Sequence, residues 1–254
     1  MTINARNRLN IFLLTLNSSI LLFLVYWIWR SNELSIKNNA VLSILGSVVI
    51  ALFILFTIII LFKKTNAPEL VLLLVYSVGL SLQPLRFFLV YPYALNTQTI
   101  QVFSTYMAVF GYFLSLSTLL FIGLYEINAI LLRVKEILIY FAILLYIFIA
   151  SQPLNVIDME SGYLFQFTDA MTISLLYFIL YVLTILVSMI LLFIKEENHK
   201  PYFAIAILTL YIAMTLLWEA RNFFLTALGF FLQVGGFVML FMLIRRRYLW
   251  FRWS

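Results

Sequence analysis

Apolar residues in this chain come in long runs that show neither the two-residue alternation of a half-buried strand nor the striped face of an amphipathic helix. Stretches such as ILLFLVYWIW and VVIALFILFTIIILF are apolar on every side. A bilayer core about 30 Å thick is crossed by about 20 helical residues, whereas barrel strands would appear as ~10-residue alternating segments. The pattern predicts an all-α polytopic helical membrane bundle of about eight spans. They lie at about 11–29, 41–62, 69–93, 101–125, 136–152, 170–194, 201–218 and 222–244, in a single integral membrane domain 1–254. The first run is too long for a signal-peptide core and lacks a small-x-small cleavage site, so it reads as an uncleaved span. The polar connector SQPLNVIDMESGYLFQFTDA is the longest loop. The weakest division is LLWEARNFFL, which has no Gly or Pro to make a turn. It is still split, because an unbroken helix over 201–244 would be far too long for one crossing.

Charge distribution supports the even count. With the N-terminus in the cytoplasm, Arg6, Arg8, Lys63, Lys64, Arg133, Lys135, Lys195, Lys200, Arg245, Arg246, Arg247 and Arg252 fall on inner segments, and only Arg30, Lys37 and Arg221 on outer ones. This is the asymmetry of the positive-inside rule, and it places both termini in the cytoplasm. The net charge of +6 is therefore a topological signal rather than a nucleic-acid footprint. Helical spans point to an inner or plasma membrane.

Composition then narrows the chemistry. At 65% hydrophobic and 10% charged, the chain has no means of covering a soluble domain. It has no cysteine, which removes thiolate metal sites, disulfides and thiol nucleophiles. Its one histidine, His199, sits in the charged turn KEENHKP and reads as solvated. No G-x-S-x-G, S-x-x-K, Walker-type or D-x-x-x-D arrangement occurs. The sequence calls for no cofactor and no metal.

One residue breaks the hydrocarbon. In SLQPLRFFLVYPYALN, Arg86 lies about 25 Å along the third span from Glu69, nearer the outer boundary than the centre. At mid-membrane an arginine costs at least about 2.5–3.5 kcal/mol; near the interface it snorkels or pairs for less. Pro84 lacks the N–H that would bond the carbonyl of Leu80, and predicts a kink there. Gln83, Arg86, Tyr91, Asp169, Trp218, Glu219 and Asn222 all fall at this outer level. They are the candidate lining of an outward-facing pocket for an anionic or amphipathic ligand, with Glu219 or Asp169 as an alternative ion partner of Arg86. The aromatic residues at that level equally suit an interfacial belt. Asn17, Gln233 and small pairs such as Ser43 with Ser47 and Gly111 with Ser115 read as helix-packing positions.

The tail RRRYLWFRWS combines Arg245, Arg246, Arg247 and Arg252 with Trp250 and Trp253, a docking element for lipid head groups or for another membrane or cytoplasmic polypeptide. The sequence thus favours a non-catalytic multi-pass protein, a sensor-like bundle or a complex subunit. A small-molecule or lipid transporter is the alternative. A lipid-modifying enzyme acting through Asp169 or Glu219 is the weakest reading, because no paired acid is present.

Overall fold

The computed structural model describes residues 3–31, 38–62, 67–87, 98–127, 134–160, 164–194, 199–219 and 222–250. Among these residues there are eight α-helices: α1 (Ile3–Ser31), α2 (Asn38–Phe62), α3 (Pro68–Leu82), α4 (Gln98–Glu126), α5 (Val134–Ala150), α6 (Ala170–Phe193), α7 (Lys200–Glu219) and α8 (Phe223–Trp250). Seven are long and apolar enough to cross a membrane, the third counted with the turn that continues it to Arg86. The chain is a multi-pass integral membrane protein. The remaining helix, α5, has 17 residues and reaches about 26 Å, a little short of a full hydrocarbon core. Most of its apolar side chains, among them Ile139, Tyr140, Leu144 and Ile147, face away from the bundle.

Helix α4 lies at the centre, and α3, α5, α6 and α7 all pack on it. Helix α2 touches α1, α3 and α8, and α8 runs against α7. At the seam of α3 with α4 the two backbones nearly touch: a Cβ added to Gly79 would lie 2.6 Å from the carbonyl oxygen of Gly111, and one added to Gly111 would lie 2.5 Å from that of Gly79. Only glycine permits two backbones to approach so closely, which is how small residues hold membrane helices together where no hydrophobic effect does so.

Two boundaries depart from the sequence reading and a third follows it. Pro84 does more than bend the third span. Helix α3 stops at Leu82 and continues as a 3₁₀ turn over Gln83–Arg86, the tighter winding that a residue without an N–H tolerates. The outer part of that expected span, residues 88–93, lies outside the described residues. The long polar connector is partly a β-hairpin rather than a loop. Strand β1 (Leu154–Glu160) pairs antiparallel with β2 (Leu164–Phe167), with Leu154 opposite Phe167, Glu160 opposite Leu164, and an irregularity between Asn155 and Met159. Its anchor is aromatic. Phe165 and Phe167 are buried, Phe167 meets the Tyr106 ring edge-on at 6.1 Å, and Tyr106 donates to the carbonyl of Gln152 at 2.7 Å. Finally, the 201–244 region is two helices. Asn222 opens the second by accepting the backbone N–H of Leu225 at 2.8 Å, an N-cap that satisfies one of the orphan donors of α8.

The bundle therefore has two distinct ends. One carries the β-hairpin, the 3₁₀ turn and the α7–α8 connection, and is called here the hairpin end. At the other, the terminal end, α1 begins, α8 finishes, and α3 starts beside the end of α4.

Candidate functional site

At the hairpin end Arg86 is fully buried. Its guanidinium donates through Nη2 to the Ser43 hydroxyl of α2 and through Nη1 to the Trp218 carbonyl of α7, at 3.2 Å for the latter. Ser43 in turn donates to the carbonyl of Leu217. Leu217 and Trp218 lie in the last turn of α7, whose final carbonyls have no partner within the helix. Arg86 and Ser43 together cap that terminus, and a cation there also meets the negative end of the helix dipole. The guanidinium carbon stands 5.1 Å from the centre of the Trp218 ring, which stacks on Tyr112 at 4.3 Å and 19°. No carboxylate pairs with Arg86 among the described residues, and its Nε has no hydrogen-bond partner.

A chain of buried polar groups leads inward from this point. Ser47, one turn along α2 from Ser43, donates to the Ser43 carbonyl at 2.9 Å and to Gln83 Oε1 at 3.3 Å. Gln83 Nε2 points at the Met214 sulfur at 3.9 Å, which also receives the Tyr76 hydroxyl at 3.4 Å and Gln233 Nε2 at 3.7 Å. Gln233 closes the series on Tyr76 at 2.7 Å. Each of these side chains is 2% exposed or less. Helices α2, α3, α7 and α8 all contribute, so the series knits four helices across the hairpin half of the bundle.

At the terminal end a second arginine does a related job with different partners. Arg247 of α8 bonds Glu69 Oε1 at 3.2 Å and Glu126 Oε1 at 3.0 Å, and both carboxylates are fully buried. Glu69 lies in the first turn of α3, where a negative charge also suits the positive helix end. Nearby, Arg6 of α1 donates to the carbonyl of Phe62, the last residue of α2, at 2.7 Å.

Of the pocket candidates drawn from sequence, the fold brings Gln83, Arg86 and Trp218 together, with Glu219 half-buried beside Trp218 at the end of α7. Asp169 and Asn222 are exposed helix caps. Asp169 accepts the backbone N–H of Thr172 at 3.3 Å and the Thr172 hydroxyl, and these bonds hold its carboxyl below the ordinary value. Tyr91 is outside the described residues. Of the docking set, Arg245 and Arg246 are exposed, Arg247 turns inward to its carboxylates, and the Trp250 side chain, Arg252 and Trp253 lie outside what is described. Sequence reading treated Ser43, Ser47 and Gln233 as packing positions. The available signal was the four-residue spacing of Ser43 and Ser47, which puts two hydroxyls on one face of α2 at the depth of Gln83 and Arg86.

Among the described residues no group of three or more His, Asp or Glu side chains is arranged to hold a metal ion. Comparison with protein-family models, with curated proteins and with solved structures finds no match to this chain.

Proposed function

We propose that this chain is a non-catalytic, sensor-like membrane bundle that works through a partner polypeptide. The observation that carries this reading is Arg86: a fully buried cation held by a hydroxyl, a carbonyl and an indole face, with Nε unbonded and no carboxylate paired to it among the described residues. Such a cation is held less firmly than a compensated one, and an anionic group brought to the hairpin end competes for it. The buried polar series runs from Arg86 to Gln233 on α8, and α8 ends in the Arg247 contact with Glu69 and Glu126. A change at one end thus has a packed route to the other. By the positive-inside distribution the hairpin end faces outward and the terminal end lies in the cytoplasm, where exposed Arg245 and Arg246 are available to anionic head groups or to the partner.

The test is hydrogen exchange on the full chain in nanodiscs, comparing Arg86→Met with Asn222→Ala, a change at the same end that touches only a helix cap. Faster exchange in the last turns of α8 around Arg247 is expected in the first variant alone. Exchange that changes only near Ser43 and Trp218 overturns the coupling. Gentle extraction followed by mass determination of the intact particle tests the partner: a stoichiometric second polypeptide supports it, and a bare bundle argues against it.

A further inference from the structure

Helices α2 and α8 pack well in the terminal half and part company in the hairpin half. Near the terminal end Phe241 of α8 meets Phe53 edge-on at 6.4 Å and stacks on Phe62 at 6.1 Å. Toward the hairpin end the same two helices face each other across a cleft of about 310 Å³, walled by Leu42, Leu45 and Val49 on one side and Phe223, Phe230 and Phe231 on the other. Gly46, Leu217 and Ala227 also line it. The lining follows helical spacing on both helices, at 42, 45, 46 and 49 and at 223, 226, 227, 230 and 231, so one full face of each helix is turned to the cleft. The smallest residues on these two faces, Gly46 and Ala227, both line the gap and leave it unfilled. A Cβ placed on Gly46 meets only Phe230 at 3.5 Å and Leu217 at 3.9 Å, ordinary contact distances that leave the space beyond unfilled.

We infer that this cleft is a binding site for one acyl chain of a membrane lipid from the leaflet at the hairpin end. Three features select that occupant. Among the described residues the lining is hydrocarbon apart from Thr226, whose hydroxyl already donates to the carbonyl of Asn222 at 2.9 Å. The cleft opens sideways at bilayer depth, where Phe223, Phe231, Leu42 and Val49 are all exposed. From the first residue of α8 it extends only about 12 Å along the axis, and so stays within one leaflet. A helix from a second chain, about 10 Å across, is too wide for a slot of this volume between protruding phenylalanines, whereas a single hydrocarbon chain lies along it. The inference is independent of the role given to Arg86.

The experiment uses the full chain in nanodiscs of phosphatidylcholine and phosphatidylglycerol doped with a phospholipid bearing a photoreactive diazirine on one acyl chain. Adducts are mapped by peptide mass spectrometry after illumination. Labelling concentrated on Leu45, Val49, Phe230 and Phe231, and reduced several-fold by Gly46→Leu, is expected, while labelling of the exposed α6 residues Phe178 and Leu183 stays unchanged. Ala227→Phe fills the slot from the opposite wall and should act alike, so a fold defect in either variant does not decide the outcome. Uniform labelling of the cleft and of α6, insensitive to both variants, overturns the site. Protein–protein crosslinks through the cleft, in place of lipid adducts, do so as well.

Discussion

Two arginines tie α3 and the last helices together at opposite ends of the bundle, and they do it with different electrostatics. Arg247 meets two carboxylates, each fully buried. Arg86 meets a hydroxyl, a main-chain carbonyl and a ring face. A buried ion pair is hard to break because the partner left behind is a bare charge in a low-dielectric interior. Neutral partners leave no such charge. Removing Arg86 would leave Ser43 its bond to Leu217 and the Trp218 carbonyl unmet. The terminal end is thus a latch whose opening is costly. The hairpin end is a contact that can be exchanged for a similar one. The proposed sensor-like role rests on that inequality.

The largest effect should come from Arg247→Met, which takes from the buried Glu69 and Glu126 the arginine they share. A loss of about 3–5 kcal/mol is expected, read as a lowered unfolding midpoint in detergent, and Glu69→Gln with Glu126→Gln in the same chain should recover much of it. If Arg247→Met costs no more than Arg86→Met, the contrast between the ends fails. Next comes Gly79→Ala, which pushes a methyl against the Gly111 carbonyl at 2.6 Å and against Ser115. Overpacking of this kind costs about 3 kcal/mol, and because the seam lies midway it should loosen both ends equally in hydrogen exchange.

A smaller loss, about 2 kcal/mol, is expected for Arg86→Met, which gives up two charge-assisted hydrogen bonds without orphaning a charge. Arg86→Lys should recover only part, since an ammonium cannot reach the serine and the carbonyl in the fixed fork of a guanidinium or lie flat on Trp218. The smallest effect concerns Asp169. Its bonds to Thr172 keep the carboxyl below its ordinary value of 3.8. The stabilisation is therefore present above the unfolded pKa and disappears as pH falls through the lower, folded one. Thr172→Val should flatten that part of the acid limb between about pH 5 and pH 3 and leave the neutral-pH midpoint least changed of the four.

Much of the fold could be read from the chain because long apolar runs leave few alternatives in a bilayer. All eight spans expected from hydropathy correspond to helices, including the short one at α5 and the divided pair at α7 and α8. What hydropathy missed was short-range and polar. The β-hairpin lies in a mixed segment where period-two alternation is interrupted, and its stability comes from Phe165 and Phe167 packing against α4, contacts distant in sequence. Asp169 and Asn222 looked like pocket acids and amides because depth alone groups residues into a layer. Depth says nothing of azimuth, and both turned out to cap the helices they precede.

The sequence by itself determined that this is a helical membrane bundle, where its helices run, that Pro84 would disrupt the third one, and that Arg86 needed an explanation. These follow from the local physics of chain and solvent: apolar length, missing N–H groups, the cost of charge in hydrocarbon. Only the tertiary structure decided which partners Arg86 and Arg247 take, that the backbones at Gly79 and Gly111 meet, and that Gly46 and Ala227 line one cleft. Those depend on how each helix is rotated about its axis, and rotation is set by side chains meeting across helices far apart in the chain.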